Sequence, residues 1–169
     1  MTRLLRRSLA AITLCAAAAP AQDSVKTATP TIPAKWDVLA KHGPSKDITF
    51  ETSEGTWMSV DISPDGKTLV FDLLGDIYTM PITGGKAALL LGGPAYETMP
   101  RWSPDGSRIA FTSDRDGIEN LWTAAADGRD LRQVSKEKER QVSNPAWTPD
   151  GRYLVARKHF RNTRSLGAG

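Results

Sequence analysis

The tetrapeptide Ser63-Pro64-Asp65-Gly66 returns as Ser103-Pro104-Asp105-Gly106 and again as Thr148-Pro149-Asp150-Gly151, at spacings of 40 and 45 residues. The flanks return with it. Each copy is followed by a short apolar strand, Lys67-Thr68-Leu69-Val70-Phe71, Ser107-Arg108-Ile109-Ala110-Phe111 or Arg152-Tyr153-Leu154-Val155-Ala156, and is preceded by Ile62, Trp102 or Trp147. A type I turn favours Ser at its first position, Pro at the second because the ring presets φ, and Asp at the third, with Gly where φ turns positive. Each copy therefore closes a hairpin. A period of 40 to 45 residues that carries strand signals predicts propeller blades rather than helical repeats.

Working outward, a second hairpin follows at Gly75-Asp76 and, in longer form, at Asp114-Arg115-Asp116-Gly117. A third strand aligns as Ile77-Tyr78-Thr79-Met80 with Leu121-Trp122-Thr123-Ala124, and an outer strand as Ala87 to Leu91 with Leu131 to Val134. Four antiparallel strands make one blade, and the predicted fold is all-β, a partial propeller with repeats at about 57–96, 97–141 and 142–169. Stacked blades are expected to bury Leu69, Phe71, Trp102, Ile109, Phe111 and Trp147, each worth roughly 1.5 to 3 kcal/mol when fully buried. About two and a half blades fit between residues 47 and 169, against the usual four to eight. On this reading the propeller is incomplete, and its first partners are missing blades. The segment Asp47 to Thr52 is expected to be the outer strand of a last blade.

Ahead of the repeat, Arg3, Arg6 and Arg7 precede an apolar run from Leu9 to Ala19 that ends in Ala19-Pro20-Ala21. A basic start, a short apolar run and small residues at an A-x-A site predict a cleavable secretory signal over residues 1–21, cut between Ala21 and Gln22. The run is shorter than the ~20 apolar residues a membrane crossing needs, so no membrane anchor is expected. Leu14 before Cys15 is bulkier than a lipoprotein signal accepts, and the surroundings of Arg6-Arg7 fit a twin-arginine signal poorly. Cleavage removes Cys15, the chain's one cysteine. The expected destination is the periplasm, with stability resting on the core alone. Residues 22–46, with Pro30, Pro33 and Pro44, read as an extended lead-in.

The formal net charge of +3 disappears with the first segment, since 22 − 3 leaves 19 basic residues against 19 acidic ones. Such a chain has no electrostatic footprint for nucleic acid. Nor does it carry a catalytic constellation. His42 and His159 are its two histidines and neither has a neighbouring histidine partner, whereas a catalytic zinc needs three protein ligands and an open position. No serine sits in a Gly-x-Ser-x-Gly elbow. Asp114-Arg115-Asp116-Gly117 lacks the later oxygen ligands of a calcium loop and reads as a turn. Gly167-Ala168-Gly169 is too short for a phosphate loop. Of the tryptophans 36, 57, 102, 122 and 147, the last three fall at recurring blade positions and read as packing. A basic cluster, Arg152, Arg157, Lys158, Arg161 and Arg164, closes the chain without an acid beside it. No catalytic residue, cofactor ligand or metal ligand is assigned. The residues singled out are the turn-formers Pro64, Asp65, Gly66, Pro104, Asp105, Gly106, Pro149, Asp150 and Gly151.

Trp102 to Gly106, Ile109-Ala110-Phe111-Thr112-Ser113-Asp114-Arg115 and Asn120-Leu121-Trp122 together resemble the TolB-like, WD-repeat-like propeller repeat, a resemblance that spans about 57–169. Eukaryotic WD repeats and sialidase Asp-boxes fit less well. Gly55-Thr56-Trp57-Met58-Ser59-Val60-Asp61, Phe71 to Pro81, Lys158-His159-Phe160 and Arg164-Ser165-Leu166-Gly167 more closely resemble the N-terminal propeller of exported bacterial amidohydrolases. That resemblance implies a scaffold, substrate gate or interaction surface preceding a hydrolase domain, with a divalent metal such as zinc only in that downstream domain. The repeat equally suits a TolB-like periplasmic propeller that binds a protein or peptide, and the propeller of a prolyl-oligopeptidase-like serine peptidase. The turn and strand pattern does not separate these three.

Overall fold

A computed structural model describes residues 37–46 and 48–159, all within one unit spanning 34–169. The signal and its cleavage site at Ala21 and Gln22, Trp36, and the last basic residues Arg161 and Arg164 lie outside the described residues. So does nearly all of the predicted lead-in.

The first blade is an antiparallel sheet of β1 (Val60–Ile62), β2 (Thr68–Leu73), β3 (Asp76–Pro81) and β4 (Ala88–Leu91), in chain order across the sheet. The second repeats it with β5 (Glu97–Trp102), β6 (Arg108–Ser113), β7 (Asn120–Ala125) and β8 (Arg132–Gln133). A third sheet begins with β9 (Val142–Trp147) paired to β10 (Leu154–Lys158). The described residues contain no helix. They form an all-β partial propeller, as the repeat predicts.

The three quoted turns are built alike. The amide of Gly66, Gly106 and Gly151 donates to the carbonyl three residues back, at 2.8, 2.9 and 2.8 Å, with φ of +72°, +71° and +68°. Inside each turn the first residue's hydroxyl donates to the Asp carboxylate, Ser63 to Asp65 and Ser103 to Asp105 at 2.6 Å and Thr148 to Asp150 at 2.5 Å. The same hydroxyl oxygen then accepts the amide five residues on, that of Thr68, Arg108 or Tyr153. One side chain thus satisfies the carboxylate and pins the start of the next strand. Consecutive turns also touch, because Pro64 lies against Gly106 and Pro104 against Gly151.

Register explains the core. Cross-strand partners share a face, and strand neighbours take opposite faces. Val70 and Ile77 lie on one face of the first blade with Leu91, and Ile109, Phe111 and Ala124 on the facing side of the second, where all six form one buried cluster. Leu90, Trp102 and Trp122 pack around it. Leu69 and Phe71 do not join this cluster, although Phe71 is buried as expected; Leu69 is only half-buried. The pleat turns them to the outer face of the first blade, where Phe71 stacks on Tyr78 with ring centroids 5.8 Å apart. Trp147 is half-buried and its indole N–H donates to the Arg101 carbonyl at 3.2 Å, tying the third sheet to the second. Trp102 and Trp147 occupy equivalent positions. Trp122 matches Tyr78 instead, since both oppose a Phe, Phe111 and Phe71.

Two boundaries differ from expectation. The β2–β3 turn falls on Leu74-Gly75, both at positive φ, and Asp76 opens β3. The predicted strand from Asp47 to Thr52 is absent: residues 48–52 belong to no strand and Asp47 lies outside the described residues. A strand forms by sharing a ladder, and no ladder partner for this segment exists among the described residues.

Gly106→Ala forces a Cβ into the left-handed region while meeting only ordinary contact with Pro64 at 3.5 Å, so the backbone alone is strained. The expected loss is about 1 kcal/mol, read from the urea midpoint at unchanged m-value. A second expectation concerns acid. Hydrogen bonds from Ser103 and Ser107 hold the Asp105 carboxyl at about 2, below its ordinary 3.8. A carboxyl lowered in the folded state stabilises fully above 3.8 and loses that contribution as pH falls through about 2. Asp105→Asn should flatten the decline in stability between those two pH values; an unchanged acid limb would refute the assignment.

Candidate functional site

The turns just described gather at one end of the stacked sheets. The opposite end, where β5 and β9 begin and β2 and β10 finish, holds a cavity of about 500 Å³. We refer to it as the mouth. β1, β5 and β9 are the inner strands, lying successively against one another, and the mouth opens beside them.

Its lining is built by a repeated distortion. β5 and β9 each break register with a bulge, and the displaced residue is left-handed without being glycine: Met99 at φ 58° and Asn144 at φ 56°. Each is followed by a buried proline, Pro100 or Pro145, which cannot donate to the ladder. Trp57, at φ 58°, is fully exposed on the same cavity. Thus three of the five non-glycine residues with positive φ among the described residues surround one opening. Such strain persists only where surrounding structure enforces it, and it concentrates at binding sites.

Asp72 lies beneath this lining at the end of β2. Its carboxylate accepts the Ser59 amide at 2.5 Å. Burial pushes the Asp72 carboxyl above its ordinary range, opposed by backbone hydrogen bonds from Ser59, its own amide and Met99 and by the charge of Arg101. Across the cavity, Ser143 Oγ and His159 Nε2 are 3.1 Å apart, and the His159 amide donates to the Gln141 carbonyl at 2.9 Å. Tyr96, Arg157 and Glu119 complete a rim of mixed charge.

Beside the mouth, Glu97 is fully buried and receives the Arg115 guanidinium on Oε1, while Oε2 has no protein partner. Burial raises the Glu97 carboxyl, Arg115 opposes that, and the charges of Asp76 and Asp114 add to it. Farther out, buried Asn120 donates to Asp116 and to the Glu137 carbonyl, and accepts from Ser135 and the Glu137 amide. Glu137 in turn meets Lys158 at 2.5 Å. This network fastens the connection between the second and third sheets against β10, and so fixes the wall that bears Gln141 and Ser143.

Ser143 and His159 form a nucleophile–base pair by distance, yet Ser143 lies within β9 and is buried, not presented on a sharp turn. His42 stands apart, its Nε2 2.6 Å from the Asp37 carbonyl. Among the described residues no three His, Cys, Asp or Glu side chains converge closely enough to hold a metal ion. No helix among them is long and apolar enough to cross a membrane. The segment Asp114 to Gly117 is a turn, with the Gly117 amide on the Asp114 carbonyl at 2.7 Å.

None of the nine turn-formers reaches the mouth. Pro104, Asp105, Pro149, Asp150 and Gly151 line a smaller cleft of about 380 Å³ between adjacent turns at the other end. Ser59, Asp72, Met99, Asn144 and Tyr96 were not anticipated. For Met99 and Asn144 the signal was available in Met99-Pro100 and Asn144-Pro145, which sit 45 residues apart and begin four residues ahead of Ser103 and Thr148.

The profile of PD40, the TolB beta propeller domain, matches residues 44–167. The chain is 31% identical over 92 residues to Tricorn protease homolog 1 of Streptomyces coelicolor, which is 54% of this chain and 9% of that protein. It is 38% identical over 78 residues to the uncharacterised peptidase YuxL of Bacillus subtilis, covering 46% of this chain and 11% of that one. Against an uncharacterised protein of Agrobacterium fabrum it is 35% identical over 77 residues, 43% of this chain and 26% of the other. The match therefore spans between about a tenth and a quarter of these relatives' length. Among solved structures, a TolB from Agrobacterium tumefaciens superposes with a TM-score of 0.57 at 27% identity, over 63% of this chain and 40% of that one. TolB from Acinetobacter baumannii shares the fold at a TM-score of 0.50 and 22% identity, over 61% and 27% of the two chains.

The left-handed bulge gives a direct test. Asn tolerates positive φ and a β-branched residue does not. Met99→Asn should stay within about 0.5 kcal/mol of the parent, while Met99→Val should lose roughly 1 to 3 kcal/mol in urea unfolding. Equal losses would show that side-chain packing, not backbone conformation, governs the position.

Proposed function

This chain belongs to the TolB β-propeller family, and from that membership we propose that it is the non-catalytic propeller portion of an exported, amidohydrolase-like protein. It works as scaffold, substrate gate or interaction surface. The observation that carries this reading is the mouth, an open cavity of about 500 Å³ whose wall is strained at Trp57, Met99 and Asn144 and whose polar groups are arranged for contact. The link to amidohydrolases rests on the Gly55 to Asp61, Phe71 to Pro81 and Lys158 to Phe160 segments, and export to the periplasm on the pattern of residues 1–21. A metal belongs to this proposal only through a downstream hydrolase domain. Within this chain, the residues of the mouth bind and orient a polypeptide or substrate segment and perform no bond cleavage.

A second reading is supported by two relatives named as a protease homolog and a peptidase: the propeller would then precede a serine-peptidase domain. The likeness to a TolB at 27% identity favours a third, a periplasmic protein-binding propeller without a hydrolase.

The genomic reading frame that includes this sequence separates them. A His-x-His pair after further repeats supports the amidohydrolase reading, a Gly-x-Ser-x-Gly elbow transfers the propeller to a peptidase, and a stop after closing blades leaves a binding protein. In parallel, the purified 169-residue chain should turn over neither amide nor ester substrates, with or without added zinc. Turnover above a Ser143→Ala, His159→Ala double variant would overturn the non-catalytic assignment.

A further inference from the structure

The two junctions between sheets carry the same distortion and hold it by different means. β5 takes one extra residue between Thr98 and Arg101, and β9 one between Ser143 and Ala146, which leaves Met99 at φ 58° and Asn144 at φ 56°. Asn enters the left-handed region readily because its short polar side chain suits it; Met does not. The conformation of Met99 is therefore enforced from outside the residue.

The positions associated with the two bulges differ in the matching way. Asp72 aligns with Thr112 across the 40-residue repeat, as Phe71 does with Phe111. β2 packs against β5 and β6 against β9, so Thr112 stands to Asn144 as Asp72 stands to Met99. The Asp72 carboxylate accepts the Ser59 amide at 2.5 Å, and its own amide returns a bond to the Ser59 carbonyl at 3.2 Å. The Met99 amide donates toward the same carboxylate, and the charge of Arg101 just past the bulge favours its ionised form. Thr112 offers no such anchor, since it is buried and its hydroxyl has no hydrogen-bond partner among the described residues.

We propose that Asp72 is the positioning residue of the mouth: its carboxylate holds the Ser59 and Met99 amides so that Met99 takes the left-handed bulge, a task the second junction leaves to Asn144. The bulge decides what faces the cavity. Without the extra residue, the start of β5 slips by one and its side chains exchange faces. Tyr96 and Thr98 would then leave the mouth, and Glu97 would leave Arg115. The use of this wall for contact rests on the function proposed above. Its placement by Asp72 does not, and the test reads the wall without a ligand, so the two ideas fail separately.

The test is a double-mutant cycle of Asp72→Thr and Met99→Asn in the 169-residue chain, which rewrites the first junction with the residues of the second. The readout is hydrogen exchange of the Glu97 amide, whose bond to the Gly75 carbonyl at 2.8 Å depends on the bulged register. Asp72→Thr should speed that exchange at least about tenfold, Met99→Asn alone should stay within about twofold, and the double variant should return to within about threefold of the parent. Rescue by residue 99 separates positioning from a general loss of stability, which the second substitution would not repair. An Asp72→Thr variant that exchanges like the parent, or a double variant as fast as Asp72→Thr, would overturn the proposal. Should Asp72→Thr not fold, folding of the double variant supports the proposal and its failure overturns it. An independent arm is Asn144→Met, which sets Met against Thr112 with no carboxylate to hold it. It should speed exchange of the Val142 amide, bonded to the Glu119 carbonyl at 3.0 Å, and an unchanged rate there counts against the proposal.

Discussion

The apolar contact between adjacent sheets is what the other features depend on. A four-stranded sheet with side chains above and below has two faces to cover, and an isolated sheet of this size covers neither. Val70, Ile77 and Leu91 meet Ile109, Phe111 and Ala124 across the first junction, with Trp102 and Trp122 closing its edge. Polar links then set the angle at which the sheets meet. The Asp61 carboxylate accepts the Trp102 amide at 2.8 Å, the Glu97 amide donates to the Gly75 carbonyl at 2.8 Å, and the Trp147 indole reaches Arg101. Two of these bonds run from inner strand to inner strand and the other from β5 to the β2–β3 turn, so packing supplies the free energy and hydrogen bonds the geometry. The mouth exists because sheets held at that angle leave their inner strands side by side.

Most of the blade architecture was legible because turn chemistry is local. Ser or Thr, Pro, Asp and Gly each meet a requirement set by their own backbone, and a thrice-repeated local solution marks the repeat without reference to anything distant. Strand assignments followed from the same spacing. The side of the sheet on which a residue sits is less local: Phe71 is buried as expected, but it and the half-buried Leu69 lie on the outer face and not in the first junction. Both are apolar and adjacent to Val70, and only the direction in which the blades stack decides which face meets a neighbour. Residues 48–52 failed for a related reason: apolar residues alternate there, yet a strand exists only with a ladder partner.

The mouth was less legible than the turns because its residues are defined by departures from regularity. Asp72 is an unremarkable strand residue until a bulge brings the Met99 amide over it, and Met99 gives no sign of positive φ beyond the proline that follows. Asn144 is the clearer hint, since Asn is the usual non-glycine occupant of the left-handed region. Aligning the two x-Pro dipeptides would have extended the repeat to the bulge. Ser143 and His159 come together only because β9 pairs with β10, a pairing fixed by the intervening turn at Thr148 to Gly151.

The two ends of the stack therefore place their carboxylates in opposite environments. At the turn end Asp65, Asp105 and Asp150 are solvent-facing and receive hydroxyl and amide donors, which lower all three. At the mouth end Asp72 and Glu97 are buried, and desolvation raises both. By linkage the two sets act in opposite directions. Acidification first protonates Asp72 and Glu97 where an unfolded carboxylate would still be charged, which favours the folded state; at lower pH it removes the stabilising charge of the turns. The fold thus sets solvent-facing carboxylates lowered by hydroxyl and amide donors at the turn end against buried carboxylates raised by desolvation at the other.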